Sequence, residues 1–193
     1  NPTALELNDD VFFDNKHTVG LSTDTYVEGV HFLNFKNPDL VIKKIIRSSI
    51  SDLYCKGVKP KFIFIGASGN NNSFSKKNLN IISKSLKEEQ KKYDLKLSGG
   101  DTTKSNKTIF TIISLGYSKK IVQRNKCNDG DDIYVTGNIG DSYLGLQILK
   151  RNILLNKKYN YFVKKYYLPD LPTKISSKLI KFANTSIDIS DGL

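Results

Sequence analysis

The sequence predicts an α+β protein, in which helices pack on one face of a mixed or antiparallel sheet. Segments 61–68 and 108–117 are short and rich in β-branched and aromatic residues, which is typical of strands. Segments 37–57 and 75–93 are longer and space their apolar residues as a helix does. The two kinds of segment alternate without the regular repetition of a doubly wound parallel sheet. These three observations favour the α+β class.

The N-terminal part of the chain predicts two strands followed by a helix. The apolar run 11–13 and the segment 18–23 both have strand length. Asn37 supplies an N-cap, and Pro38 fits the first turn of a helix. Gly57 favours the end of that helix. The apolar residues between these signals keep near-helical spacing: Ile42, Ile45, Ile46, Ile50 and Leu53.

The middle of the chain predicts a strand, a second helix and two further strands. After the strand at 61–68, Ser75 is placed to cap a helix. The alternating residues 95–97 then run into a turn predicted at Gly99-Gly100, and the most β-rich segment of the chain follows. The apolar residues of the second helix are Leu79, Ile82, Leu86 and Tyr93.

The last third of the chain predicts a strand and three helices. Segment 132–136 alternates as a strand, and the glycines of 137–140 lead into a helix that continues through Leu149. Two more helices are expected roughly at 157–167 and 173–183, separated by prolines.

This pattern predicts two domains. Residues 1–128 would form the N-terminal α+β domain, and residues 129–193 the start of a C-terminal α/β domain. The sequence stops just after an Asp-rich turn of the kind that starts a new structural element, so we expect the second domain to be truncated.

The composition argues against several classes of protein. No apolar run reaches the roughly 18 residues that a membrane helix needs. Two cysteines are too few for a disulfide framework, which fits a cytoplasmic protein. The net charge is +11, but only three of the 30 basic residues are arginine, the residue that nucleic-acid recognition favours. We therefore predict a solvated lysine surface, without a nucleic-acid or membrane partner.

Fifteen of the 19 acidic residues are aspartates, and several lie among Gly, Ser and Thr. A short carboxylate on a tight loop offers oxygen ligands to a hard cation such as Mg²⁺. Bare carboxylates that converge would repel each other by roughly 4 kcal/mol per pair at 4 Å and an effective dielectric of 20. The pattern therefore favours a site for cations, and with them phosphates. The segments concerned are 22–25, 51–52, 98–103 and 188–192.

Each of these segments also has a purely structural interpretation. The glycines before Asp101 let the backbone approach a phosphate closely, or simply form a turn. For 22–25, polar capping of a strand end is the commoner role. Asp188 and Asp191, three residues apart on a helical turn, suit one metal cluster but equally an N-cap with an acidic first turn. A lone histidine such as His31 is more often structural than functional.

Read together, the motifs resemble the thiamine-monophosphate kinase family, which belongs to the ATP-binding superfamily of aminoimidazole ribonucleotide synthetase and selenophosphate synthetase. They follow the family's order and spacing along nearly the whole chain. The Ser-Thr-Asp-Thr…Glu-Gly…His-Phe signature separates this family from its relatives. The matching stretches are 22–32, 51–53 with 57–60, 99–103, 137–141 and 187–193.

The resemblance implies transfer of the γ-phosphoryl group of ATP to thiamine monophosphate, giving thiamine diphosphate and ADP. ATP would be the co-substrate, and several Mg²⁺ ions would be the cofactors. By motif position, ATP would contact Gly100, Asp101, Arg124 and Ser190, and the substrate would contact His31. The metal ligands would be Asp10, Ser22, Thr23, Asp24, Asp52, Asp101, Asp188 and Asp191.

No catalytic acid or base is expected from this chemistry. The attacking phosphate oxygen is already anionic near neutral pH, so metal ions and positioning supply what the transfer needs. The resemblance also implies a homodimer formed through the N-terminal sheet. One motif departs from the family: its usual Gly-Asp-Asp-Ala-Ala is Asn-Asp-Asp-Val-Phe at 8–12 here, with bulkier side chains after Asp10.

Two alternatives to this function remain open. One is a related ATP-dependent synthetase with another acceptor, although the stretch 25–32 argues against it. The other is a truncated nucleotide-binding module without activity, as the end of the sequence at Leu193 would allow.

Overall fold

The computed structural model describes residues 2–154 and 159–190 and confirms the predicted α+β class. The strands in this part of the chain are β1 (Phe12–Asp14), β2 (Val19–Val27), β3 (Lys59–Gly69), β4 (Lys96–Lys104) and β5 (Ile109–Tyr117). The helices are α1 (Pro38–Cys55), α2 (Lys76–Tyr93), α3 (Asp141–Leu149), α4 (Asn160–Tyr167) and α5 (Thr173–Phe182). No described helix is both long enough and apolar enough to span a bilayer.

The strands form one mixed sheet in the order β1-β2-β5-β3-β4. Only β3 and β4 run parallel, joined through α2, and the other neighbours are antiparallel. One row of the register crosses four strands, from Asp24 through Ile112 and Ile65 to Gly100. Strand β1 pairs only with the start of β2, through Val19 to Leu21. Beyond that point β2 has no other described partner on this side, so its edge is open.

Helix α1 covers one face of the sheet and provides the largest share of the core. Its Ile45, Ile46 and Ile50 have no exposed surface. Burying a side chain of this size contributes about 2 kcal/mol. The strands alternate as a half-covered sheet should, since every second residue of β5 is buried and those between, up to Leu115, are half-buried. The opposite face of the sheet is therefore only partly covered.

Helices α4 and α5 pack onto α1 as well, and α3 packs onto α4. Tyr166 and Tyr167 of α4 belong to the same buried cluster as the isoleucines of α1. The Ser176 hydroxyl of α5 donates to the carbonyl oxygen of Tyr54, 2.6 Å away. A Cβ at Gly145 of α3 would lie 2.1 Å from the Phe162 oxygen, so glycine lets α3 approach α4. The division at residue 128 stays a prediction.

The prediction of a strand at 132–136 is wrong. The structure shows no strand there, and Ile133 and Tyr134 are 92% and 87% exposed. Alternating residues form a strand only where a neighbour pairs with them, and no described strand does so here. The predicted helices at 37–57, 75–93, 140–149 and 173–183 are confirmed within a few residues, and the described part of the one at 157–167 begins at Asn160.

Two segments predicted as loops lie inside strands. Residues 22–25 are the middle of β2, and the glycines predicted to turn after Leu97 continue through β4. The register between β3 and β4 shifts beside these glycines, so the strand passes them with an irregularity and does not reverse. A Cβ at Gly100 would lie 2.0 Å from the Ile65 oxygen, so close approach of the backbones explains the glycine.

Candidate active site

The signature motif lies in the middle of β2, and its side chains alternate between the two faces of the sheet. Ser22 and Asp24 point toward α1, and Ser22 is 2% exposed. Thr23, between them, points to the other face and is exposed. The hydroxyl of Tyr26, two residues along the same face, donates to Asp24 Oδ2 at 3.2 Å. An acidic side chain is therefore held between a sheet and a helix.

Helix α1 brings a second carboxylate to this place, and the C-terminal segment brings a third. The Ser22 hydroxyl donates to Asp52 Oδ2, and Asp52 is 8% exposed. The neighbouring Ser51 hydroxyl donates to Asp188 Oδ2 at 2.5 Å. Residues 51–52 near the end of α1 thus connect β2 with the segment at Asp188, 137 positions after Ser51. The helical turn predicted at Asp188 is absent up to residue 189.

The three carboxylates perturb one another. Burial, together with the charges of Asp24, Asp188 and Asp10, raises the pKa of Asp52 to about 8, against the hydrogen bond from Ser22. Burial also raises the pKa of Asp24 and of Asp188. Such a group of carboxylates holds protons near neutral pH or requires a cation.

Asp10 joins the same region from the N-terminal turn, between two basic side chains. Its Oδ1 lies 2.9 Å from Arg124 Nη1, and its Oδ2 lies 3.2 Å from Lys56 Nζ. The Lys56 contact is short, but its angles do not make a hydrogen bond, so the buried Oδ2 has no hydrogen-bond partner. The neighbouring Asp9 accepts from the Arg124 N–H at 3.0 Å.

The donor set fits a hard cation better than a soft one. The acceptors of the cluster are carboxylate and hydroxyl oxygens, and the buried Asp10 Oδ2 has no hydrogen-bond partner. Within residues 2–154 and 159–190, however, no three His, Cys, Asp or Glu side chains form a ready-made metal cage. Mg²⁺ is usually held by one or two carboxylates, with water and phosphate oxygens completing its shell. The cluster suits an ion that arrives with a phosphate.

Asp101 and Gly100 lie away from this cluster. Gly100 is in register with Asp24, but β5 and β3 lie between their strands. Three strand spacings put about 14 Å between them. Asp101 is exposed and pairs with Gly66, which pairs with Thr111 on the face opposite Asp24. Within one chain, the structure does not bring Asp101 to Asp24 and Asp52.

The loop after β2 presents His31. Its Nδ1 accepts a hydrogen bond from the Val27 N–H at 3.0 Å, and its ring packs edge-on against Tyr26. An acceptor at Nδ1 leaves the proton of the neutral ring on Nε2, which can donate to a ligand. The Glu28 carboxylate ties this loop down by accepting from the N–H groups of Phe35 and Thr108, both at 3.2 Å.

The remaining predicted residues are less constrained. Ser190 is exposed near the end of the described chain, and Asp191 lies outside the described residues. Sequence reasoning assigned no role to Tyr26 or Lys56. Tyr26 could have been found, because it follows Asp24 at the spacing of one strand face. Lys56 could not, because its acidic partners are 46 or more positions away.

The chain matches the family model described as AIR synthase related protein, N-terminal domain, over residues 8–117. A thiamine-monophosphate kinase from Buchnera aphidicola subsp. Acyrthosiphon pisum (strain APS) is 38% identical over 181 residues, 91% of this chain and 54% of that protein. One from Escherichia coli (strain K12) is 33% identical over 184 residues, 92% of this chain and 55% of that protein. The chain spans about half the length of the curated relatives it matches.

Two solved structures have folds similar to that of this chain. AaThiL complexed with AMPPCP and TMP superposes with a TM-score of 0.90 at 28% identity, covering 96% of this chain and 61% of that one. Thiamine monophosphate kinase from Aquifex aeolicus gives a TM-score of 0.87 at 27% identity, covering 98% and 65%. The resemblance drawn from the motifs is confirmed. Because the family model spans more than half of the residues, this chain belongs to the AIR synthase related protein family through its N-terminal domain.

Proposed function

We propose that the protein is an enzyme that transfers the γ-phosphoryl group of ATP to thiamine monophosphate, giving thiamine diphosphate and ADP. The observation that carries this proposal is the acidic cluster of Asp24, Asp52 and Asp188, built from motifs that match thiamine-monophosphate kinases in order and spacing. A structural neighbour solved in complex with AMPPCP and TMP supports both the donor and the acceptor. We also propose that the reaction takes place in the cytoplasm.

The chemistry of the cluster fits this reaction. Mg²⁺ ions, when bound, neutralise the phosphate oxygens and orient them for in-line transfer. We assign their ligands to Asp10, Ser22, Asp24, Asp52, Asp188 and Asp191 and, from the opposite face of the sheet, to Thr23 and Asp101. The residues of this chain fix the geometry: Ser22 orients Asp52, and Ser51 orients Asp188. No side chain has to take a proton from the attacking phosphate.

Asp101 takes part in this proposal through a second copy of the chain. It is exposed on the open face of the sheet, next to Gly100, which lies about 14 Å from Asp24 in its own chain. Half-buried apolar residues such as Leu115 cover that face, and β4 is an exposed edge. A homodimer formed through these open faces would bury them. It could also bring Asp101 and Gly100 of one chain to the open β2 edge of the other.

The direct test is a kinase assay. The protein, thiamine monophosphate and MgATP should yield thiamine diphosphate and ADP, while the same mixture with a chelator should yield neither. ADP formation with another phosphorylated acceptor, but not with thiamine monophosphate, would instead favour a related synthetase. No turnover beside an active control kinase would refute the proposal.

His31 is expected to affect the acceptor and not the nucleotide. Replacing His31 by Ala removes the Nε2 donor that the Val27 contact orients. The loss of one hydrogen bond to a charged phosphate costs about 1.5–3 kcal/mol, which corresponds to about 10-fold to 100-fold in KM for thiamine monophosphate. The KM for ATP should stay unchanged. Steady-state kinetics with each substrate varied in turn check this, and equal rises in both KM values would contradict it.

A further inference from the structure

Lys56 is completely buried directly after α1, and its ammonium joins three separate segments. Nζ donates to the carbonyl oxygen of Ser186 at 2.8 Å. It lies 2.8 Å from Asp9 Oδ1 and 3.2 Å from Asp10 Oδ2. Asp9 is itself only 2% exposed at its side chain, so this contact is removed from solvent.

A buried lysine is unfavourable unless oxygen atoms surround its charge, as they do here. These neighbours are two carboxylates and one carbonyl, which are the ligands that a hard metal cation prefers. The three segments that meet at Nζ also carry site residues. Asp10 contacts it directly, Asp52 lies one helical turn before Lys56, and Asp188 lies two residues after Ser186. The ammonium therefore lies where these site segments converge.

We propose that Lys56 is a resident cation of the acidic site, which takes the place of a metal ion between Asp9, Asp10 and the Ser186 carbonyl and assembles the site before Mg²⁺ binds. Lys56 is a positioning residue, because it acts through the carboxylates. The inference rests on the proposed function only in taking the cluster as a Mg²⁺ site. Because the Asp10 carboxylate is already shared between Lys56 and Arg124, we expect Asp10 to be a weaker metal ligand than Asp52.

The test compares the thermal stability of the wild-type protein and K56M in three buffers. These contain a chelator, millimolar MgCl₂, or KCl at the ionic strength of the MgCl₂ buffer. K56M should unfold at a lower temperature than wild type with the chelator, because Asp9 loses its buried cation and Asp10 keeps only Arg124. Mg²⁺ should then raise the Tm of K56M by roughly 3 °C more than that of wild type, since the ion now fills a vacant cation position. KCl should not reproduce this gain.

Lys44 provides a matched control on the same helix. Its Nζ lies 3.9 Å from the centre of the Tyr166 ring and donates to the Tyr166 carbonyl oxygen at 3.1 Å. K44M therefore removes a packed lysine of α1 with no carboxylate among these contacts. Its stability should fall, but its response to Mg²⁺ should match that of wild type.

A second variant keeps the test decisive if K56M does not fold. D9N/K56M removes the buried charge that K56M leaves unpaired, but keeps Asp10 without its ammonium. The Tm gain of D9N/K56M with Mg²⁺ should still exceed that of wild type, but it should be smaller than that of K56M, because an amide binds Mg²⁺ more weakly than a carboxylate. If wild type and the Lys56 variants respond equally, this inference is overturned and the proposed metal site stands. If Mg²⁺ stabilises none of them, this inference is overturned, while the proposed function, whose ion arrives with a phosphate, is decided by the kinase assay.

Discussion

Replacing Asp52 by Asn should abolish most of the activity and at the same time make the metal-free protein more stable. The amide keeps the oxygen that accepts from Ser22, so the local fold has no reason to change. It removes a buried charge that faces Asp24, Asp188 and Asp10. We expect kcat to fall about a hundredfold or more, because a metal ligand is lost. The free energy of unfolding at pH 8 should rise by on the order of 2 kcal/mol.

The pH dependence identifies the cause of this gain. The pKa of Asp52 is raised in the folded protein to about 8, from its ordinary value of 3.8. A raised pKa means that the folded state binds the proton more tightly, so its stabilising effect is complete below about pH 4 and lost as the pH rises to about 8. Denaturant unfolding in a chelator should therefore show wild type weakening across this window and D52N much less. Parallel curves for the two proteins would contradict the prediction.

Mixing two inactive variants should restore activity if Asp101 acts across a dimer. D24N and D101N should each be inactive alone. In a mixed dimer, one site carries both substitutions and the other carries neither. Random association makes about half of the dimers mixed, so about a quarter of the wild-type rate should return. The measurement is the rate of ADP formation after co-expression of the two chains with different tags.

A matched pair of variants controls for nonspecific rescue. Asp24 and Asp52 belong to the same site within one chain, so D24N and D52N leave a defect in every site of a mixed dimer. This pair should stay inactive. If D24N with D101N is as inactive as the control pair while mixed dimers are present, Asp101 does not act from the partner subunit.

The sequence predicted the helices well, and for physical reasons. Helices such as α1 carry local signals: an N-terminal Pro38, a stripe of isoleucines and a terminal Gly57. The pairing of Ser22 with Asp52 and of Ser51 with Asp188 could be anticipated only as a convergence of motifs. The contacts themselves are long-range, and nothing local encodes them.

The errors come from residues whose meaning depends on distant neighbours. Gly100 has the local character of a turn, but it pairs with Ile65 inside β4, where the Ile65 oxygen leaves no room for a Cβ. Segment 132–136 has the local character of a strand, but it lacks a described partner to complete the ladder. Lys56 has the character of a surface lysine in the sequence, yet it is fully buried because carboxylates from another segment surround it.

The lysine-rich composition also protects the exposed edge strand β4 from pairing with other chains. An edge strand with unpaired backbone groups can pair with the edge of any other chain, and natural proteins discourage this with charged side chains, lysine above all. Lys96 and Lys104 stand at the two ends of β4, on a molecule whose net charge is +11. Repulsion between like-charged molecules keeps such edges apart and weakens as salt screens it. Resistance to aggregation in this protein is therefore tied to ionic strength.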